Sequence, residues 1–159
     1  LLRVFREYGE LKNAYSIASR IVFRRKDEVI DTIEKLKSVL ESLAPRGKFN
    51  TFYAKVFQAL RIEVNDEMGA LREFLEKSAD VVKKGGRLVV ITYHSLEDRM
   101  VKNFIKSGNI VGELDKDFYG NINRPFREIN RKPIVPSEQE VELNNRARSA
   151  KMRIAEKIG

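Results

Sequence analysis

Residues 85–106 constrain the fold more than any other stretch, because they predict a turn, a strand, a second turn and a helix in direct succession. Two glycines at 85–86 form the first turn. The apolar run at 88–91 then predicts a strand that is buried on both faces, as in a parallel sheet. Ser95 is the expected helix N-cap, and Asp98 would place an acid in the positive first turn of that helix. In open α/β sheets, ligands bind at the turn that follows such a strand.

This second turn contains Tyr93, His94 and Ser95, and His94 is the only histidine of the chain. Two interpretations are open. Either Ser95 caps the helix and His94 packs at the end of the strand, or the turn faces a substrate. Helix caps are common at such turns, so the local sequence alone favours the structural interpretation. A single histidine cannot separate the two.

Charge and composition limit the class of partner. The formal net charge is +8 over 159 residues, which indicates a nucleic-acid backbone first and an acidic protein surface second. The sequence contains no cysteine, which fits a reducing cytoplasm and excludes thiolate metal sites. No apolar run approaches the ~20 residues of a membrane span, so we expect no membrane partner.

Helical periodicity dominates the first 84 residues. It predicts a helix that ends at Gly9, followed by helices over 11–25, from 27 or 28 to 42, over 48–64 and over 66–84, the last capped by Asn65 and Asp66. Two features have alternative interpretations. The basic cluster at 20–26 complements a helix dipole or contacts RNA, and the aromatic residues at 49–57 form helix core or a base-stacking surface. The spacing favours core.

The remainder of the chain predicts a long polar loop and two strands. The loop covers 107–125, and residues 126–135 predict a strand in which Pro133 implies an edge or irregular position. A short turn or helix begins near 136. Residues 149–158 alternate as in a half-buried strand, with Ala150, Met152 and Ile154 on one face and Lys151 and Arg153 on the other.

Several common catalytic motifs do not occur. There is no glycine-rich phosphate loop, no set of His, Asp and Glu at metal-ligand spacing, and no serine in a nucleophile elbow. We therefore expect no metal site and no Ser-His-Asp chemistry.

Five strings, in this order, resemble the bacterial 16S ribosomal RNA cytosine-N4 methyltransferase family. They are Phe57-Gln-Ala-Leu-Arg-Ile62 with Val64-Asn65, Gly85-Gly-Arg-Leu88, His94-Ser-Leu-Glu-Asp-Arg99, Lys132-Pro-Ile-Val-Pro136 and Arg146-Ala-Arg-Ser-Ala-Lys151. The resemblance covers nearly the whole chain, and the third and fifth strings are highly specific together. The chain departs from the family at Asn145, where proline is usual, and at Thr92-Tyr93, where Ser-Phe is more usual.

The resemblance implies an α/β fold, namely the C-terminal part of a class I, Rossmann-like methyltransferase sheet with a helical insertion. Residues 1–62 would be part of that substrate-side insertion, and residues 63–159 the C-terminal part of the methyltransferase domain. The strand at 87–93 would be the fifth strand, with two later strands forming an antiparallel edge. The family's S-adenosylmethionine loop and acidic ribose-binding residue would precede Leu1, so we assign no cofactor-binding residue here.

The implied function is methyl transfer from S-adenosylmethionine to the N4 amine of a cytosine in 16S ribosomal RNA, with the small ribosomal subunit as partner. This chain alone would be inactive. His94 is the candidate catalytic residue, and the resemblance makes both interpretations of its turn equally supported. The candidate substrate-binding residues are Arg61, Asn65, His94, Ser95, Arg146 and Arg148. The alternative is a non-enzymatic, basic RNA- or ribosome-binding module.

Two properties of the isolated chain follow. We expect weak, salt-sensitive RNA binding through Arg20, Arg24, Arg61, Arg124, Arg127, Arg131, Arg146 and Arg148. We also expect self-association, because the strand at 87–93 should lie between the strand at 149–158 and a strand that precedes this chain. An unpaired apolar edge is a template for another chain. The alternative is that residues 1–62 fold back over the edge and keep the chain monomeric.

Overall fold

The computed structural model describes residues 1–158 and divides into two compact units. The first extends from Leu1 to Glu67, and its regular elements are helical; the second begins at Met68 and combines helices with a small sheet. Each unit has its own hydrophobic core. This mixed architecture confirms the α/β class expected from the sequence. None of the helices within residues 1–158 is both long and apolar enough to cross a membrane.

The first unit is built from a short π-helix and three α-helices. These are the π-helix Val4–Tyr8, α1 (Ala14–Arg24), α2 (Ile33–Leu40, continued by a 3-10 turn over Glu41–Leu43) and α3 (Phe49–Val64). Gly9 ends the π-helix, as predicted. A Cβ atom at this position would lie 2.8 Å from the Phe5 carbonyl oxygen and 3.2 Å from that of Lys55, so close backbone approach requires glycine here.

Helix α2 begins at Ile33, so the prediction that it begins at Asp27 or Glu28 is wrong. Thr32 is extended, and its side chain accepts a hydrogen bond of 3.2 Å from the Lys35 backbone N–H. This N-cap fixes the start of the helix. Val29, which the predicted helix would have included, is 71% exposed as a consequence.

Aromatic side chains of α3 contribute to the core of the first unit. Phe52 is buried, and its ring packs edge-on against Tyr53 with centroids 5.3 Å apart. The Tyr53 hydroxyl donates a 3.1 Å hydrogen bond to the Lys37 carbonyl oxygen. The core interpretation is confirmed for these two residues, whereas Phe49 is exposed.

The second unit packs helices on a three-stranded antiparallel sheet. Its elements are α4 (Glu67–Val81, which begins at the last residue of the first unit), β1 (Arg87–Thr92), α5 (Ser95–Ser107), β2 (Phe126–Glu128), α6 (Glu138–Leu143), a 3-10 segment (Asn145–Ser149) and β3 (Lys151–Lys157). The strand order is β1-β3-β2, and both pairings are antiparallel. The core contains Leu75 from α4, Val90 from β1, Phe104 from α5 and Phe126 from β2.

Strand β1 is buried on one face only, so the prediction of burial on both faces is wrong. Leu88, Val90 and Thr92 are buried, whereas Val89 and Ile91 are 50% and 55% exposed. The core that includes α4 and α5 side chains lies against the first face. A run of β-branched residues does not specify how many faces of a strand are covered.

Strands β2 and β3 also differ from the sequence predictions. β2 ends at Glu128 rather than at 135, and the chain returns to β3 at one isolated bridge between Ile134 and Met152. In β3, the buried side chains are Arg153 and Ala155, while the face of Met152 is only partly buried. The face predicted to be polar is therefore the inner one, because Arg153 finds a carboxylate partner there.

Candidate functional site

The turn after β1 is closed by a capping box in which His94, not Ser95, is the N-cap of α5. The Nδ1 atom of His94 accepts a 3.4 Å hydrogen bond from the Glu97 backbone N–H. The Glu97 carboxylate in return accepts hydrogen bonds of 2.8 Å from the Tyr93 N–H and 3.3 Å from the His94 N–H. The predicted role of Ser95 as cap is therefore wrong, because the helix begins one residue earlier than that cap implies, whereas Asp98 does lie in its first turn, as predicted.

Glu97 also contacts the imidazole from its other side. The Nε2 atom of His94 lies 3.3 Å from a carboxylate oxygen of Glu97, and the His94 side chain is 8% exposed. Burial alone would raise the pKa of Glu97, but hydrogen bonds from the His94 side chain and the Tyr93 N–H outweigh it and hold that pKa below its ordinary value. The turn therefore carries an ionised carboxylate that fixes the orientation of the histidine ring.

Asp98 connects the first turn of α5 to the inner face of β3. Its carboxylate accepts hydrogen bonds of 2.6 and 3.2 Å from Nε and Nη2 of Arg153, and Lys151 lies 3.6 Å away. The Asp98 and Arg153 side chains are 13% and 10% exposed. Burial raises the pKa of Asp98, but the Arg153 guanidinium outweighs this effect and the pKa lies below its ordinary value.

Arg146 and Arg148 lie on the 3-10 segment immediately before β3. Both are exposed, and they flank Ala147, which is buried. The Asn144 side chain accepts a hydrogen bond of 3.2 Å from the Arg146 backbone N–H and orders the start of the segment. The structure thus presents the two cations on an anchored turn, and neither has an acidic partner within residues 1–158.

The remaining predicted site residues, Arg61 and Asn65, belong to the first unit. Arg61 donates hydrogen bonds of 2.7 and 3.1 Å to the two carboxylate oxygens of Glu67, and the Asn65 side chain donates one of 3.4 Å to the same group. The structure brings these two residues together on one carboxylate. Their donors are therefore oriented by the protein itself.

The turn after β1 does not offer free backbone donors to a cofactor. A cofactor phosphate or carboxylate at a strand-to-helix turn needs free backbone N–H groups. In the turn after β1, those of Tyr93, His94 and Glu97 are taken by the capping box. We assign no cofactor contact to residues 1–158.

Sequence reasoning did not find the part that Glu97 plays. Histidine is not among the preferred N-cap residues, whereas the serine that follows it is, so the sequence favours Ser95 as the cap. The signal that could have found it is the spacing between His94 and Glu97, since a glutamate three residues after the cap completes a capping box.

Comparison with known proteins gives a family for nearly the whole chain. Residues 1–158 match the family model described as the MraW methylase family. Proteins named ribosomal RNA small subunit methyltransferase H are similar to this chain. The one from Parabacteroides distasonis is 54% identical to it, over 99% of this chain and 52% of the relative's own length. Those of Amoebophilus asiaticus and Bacteroides thetaiotaomicron are 52% and 55% identical, over 51% and 52% of their lengths. The chain thus spans about half the length of these curated relatives.

Proposed function

Because this chain belongs to the MraW methylase family, a methyltransferase family of Rossmann-like fold, we propose that its protein transfers a methyl group from S-adenosylmethionine to the N4 amine of a cytosine in small-subunit ribosomal RNA. The similar proteins named as small-subunit ribosomal RNA methyltransferases support the RNA substrate. The resemblance of the strings at 94–99 and 146–151 supports the cytosine N4 position. A ribosomal substrate places the enzyme in the cytoplasm.

The structural observation that carries the assignment of residues is the ordered turn at the carboxyl end of β1. Its capping box fixes the His94 ring and places Ser95 at the start of the helix. Ligands of α/β sheets bind outside the carboxyl ends of strands. His94 and Ser95 are therefore assigned to the substrate side, with His94 as a positioning residue for the turn.

The four other candidates have roles that follow from their chemistry. Arg146 and Arg148 are exposed cations on an ordered segment and would contact RNA phosphates. Arg61 and Asn65, oriented by Glu67, would provide hydrogen-bond donors toward the RNA. The cofactor supplies the methyl group, and the residues described here bind and orient the RNA.

Labelled methyl transfer tests this function. The full gene product is incubated with methyl-labelled S-adenosylmethionine and small ribosomal subunits that lack the modification, and the RNA is digested to nucleosides. We expect the label in N4-methylcytidine. Label in another nucleoside would contradict the N4 assignment, and unlabelled RNA would contradict the function as a whole.

The second candidate is a non-enzymatic RNA-binding module, favoured by the net charge of +8 and by the exposed arginines. Calorimetry on the 159-residue chain tests whether it holds the cofactor by itself. We predict no micromolar binding of S-adenosylmethionine, because the sequence contains no glycine-rich cofactor loop. Micromolar affinity would show that this chain holds the cofactor by itself.

A further inference from the structure

The second unit has a basic cleft between α5 and the strands β2 and β3. Its volume is about 210 Å³, and its lining residues are Lys102, Ile105, Lys106, Glu128, Asn130, Arg131, Arg153 and Ile154. Of these residues, only Arg153 was described above, through its contact with Asp98. We call this feature the α5 cleft.

Three cations that line the α5 cleft have no acidic partner within residues 1–158. Lys102 and Lys106 are exposed and lie four residues apart on one face of α5, and Arg131 is exposed on the loop after β2. Other cations of this unit are paired: Arg87 with Glu156, and Lys77 with Glu73. The cleft therefore concentrates uncompensated positive charge.

The two other charged residues of the lining are each balanced by a partner. Glu128 lies 3.4 Å from Arg124, and Arg153 binds Asp98 through Nε and Nη2. The Nη1 group of Arg153 makes no hydrogen bond to any described residue. Three full positive charges without an acidic partner among residues 1–158 thus line the cleft.

Asn130 orders the loop that carries Arg131. Its side-chain oxygen accepts a 3.0 Å hydrogen bond from the Ile154 N–H of β3, and its side-chain N–H donates one of 2.7 Å to the Lys132 carbonyl oxygen. The amide thus ties the loop to β3 and bridges the backbone across Arg131. A fixed backbone lowers the conformational entropy lost when the cleft binds a ligand.

From this arrangement we infer that the α5 cleft binds a phosphodiester group of the RNA substrate. An inference of this kind rests on the proposed function, which supplies the RNA. Lysine and arginine are the usual ligands of nucleic-acid phosphates, and such contacts set the position of the RNA without reading its sequence. Free inorganic phosphate has the same chemistry as the RNA phosphodiester, so the experiment distinguishes binding of RNA from binding of free phosphate.

The test is RNA affinity as a function of salt. Fluorescence anisotropy is measured for the full gene product with a fragment of small-subunit ribosomal RNA, for wild type, Lys102→Gln/Lys106→Gln and Arg131→Gln. Each phosphate contact contributes roughly 0.7 to 0.9 to the slope of log K against log salt. We expect the double variant to bind about tenfold more weakly at ~0.1 M salt, with a slope smaller by about 1.

The matched control is Lys83→Gln/Lys84→Gln. These lysines are exposed, lie in the same unit and have no acidic partner among the described residues, so the variant removes the same charge outside the cleft. We expect a clearly smaller loss of affinity for this control. Equal losses and equal slopes in the two double variants would overturn the inference.

Three further outcomes separate the hypotheses. If wild type methylates and binds the RNA while the cleft variants bind it equally well, the α5 cleft is not a contact and the proposed function stands. If inorganic phosphate shifts the amide resonances of the cleft but RNA affinity is unchanged in the variants, the RNA assignment is overturned. If wild type neither binds nor methylates the RNA, the proposed function is contradicted, and the inference that rests on it is contradicted as well.

Discussion

At the residue scale, substitutions can separate the capping of α5 by His94 from a contribution of its ring to methylation. His94→Ala removes the acceptor for the Glu97 N–H, so we predict a loss of about 1 kcal/mol in the free energy of unfolding, measured with urea. Ser95→Ala should cost much less, because Ser95 is the first helical residue and not the cap. A larger loss for Ser95→Ala than for His94→Ala would contradict the capping box.

His94→Asn is the matched variant, because asparagine is a preferred N-cap but has no imidazole. If His94 contributes to methylation beyond capping, both variants lower the methylation rate and only His94→Ala lowers stability. An Asn variant that methylates at the wild-type rate would show that the ring serves the helix alone.

The ion pair between Asp98 and Arg153 should contribute to the free energy of unfolding. The pKa of Asp98 is depressed in the folded protein, so its contribution is complete above the ordinary Asp value of about 3.9 and is lost as the pH falls through the folded value. We predict that Asp98→Asn lowers the free energy of unfolding at neutral pH by about 3 kcal/mol, because Arg153 is left buried and unpaired.

Acid titration of stability checks this prediction. The loss of stability below about pH 4 should be shallower in Asp98→Asn than in wild type, because one depressed carboxyl group has been removed. Glu73→Gln is the control, since Glu73 and Lys77 form an exposed pair that contributes little. A variant as acid-sensitive as wild type would show that the pair does not carry this dependence.

At the scale of elements, the 3-10 segment at Asn145–Ser149 is the clearest RNA-binding candidate, because Ala147 anchors it and its two arginines are exposed. We predict that Arg146→Gln/Arg148→Gln weakens RNA binding and reduces its salt slope by about 1 to 2, as expected for one or two lost phosphate contacts. The melting temperature should not change. Binding curves that overlay those of wild type would remove this segment from the interface.

How far the elements could be predicted depends on whether the deciding interaction is local. Helices α1, α3 and α4 follow their apolar periodicity, and Gly9 ends the first helix as expected. The inner face of β3 did not follow its pattern, because the partner of Arg153 is fifty-five residues away in sequence. Exposure of one face of β1 depends on which elements cover the sheet, and no residue of the strand encodes that.

The candidate site was predictable in position but not in detail. The turn after residues 88–91 could be recognised from its strand and helix patterns, and it lies there in the structure. The sequence did not specify which residue caps the helix: His94 is the cap, and Ser95, the expected cap, is the first helical residue. The α5 cleft has no local motif, since its lysines and Arg131 are separated by the loop and by β2.

At the scale of the whole molecule, strand β1 is an outer strand of the sheet. It pairs with β3 on one side, and within residues 1–158 no strand pairs with its other edge. The exposed face next to this edge presents Val89, Ile91 and Tyr93, each at least half exposed. Unpaired backbone groups beside an apolar face favour association with another sheet edge.

We therefore predict that the 159-residue chain self-associates at micromolar concentration, most simply as a two-fold dimer through the edge of β1. Light scattering should give a mass above the 18.4 kDa of one chain. Val89→Lys and Ile91→Lys place a charge on the exposed face and should shift the chain toward monomer, because edge lysines oppose strand pairing. Val111→Lys, on an exposed loop residue, should not. A wild-type species of 18.4 kDa at micromolar concentration would mean that the free edge of β1 does not recruit a second copy.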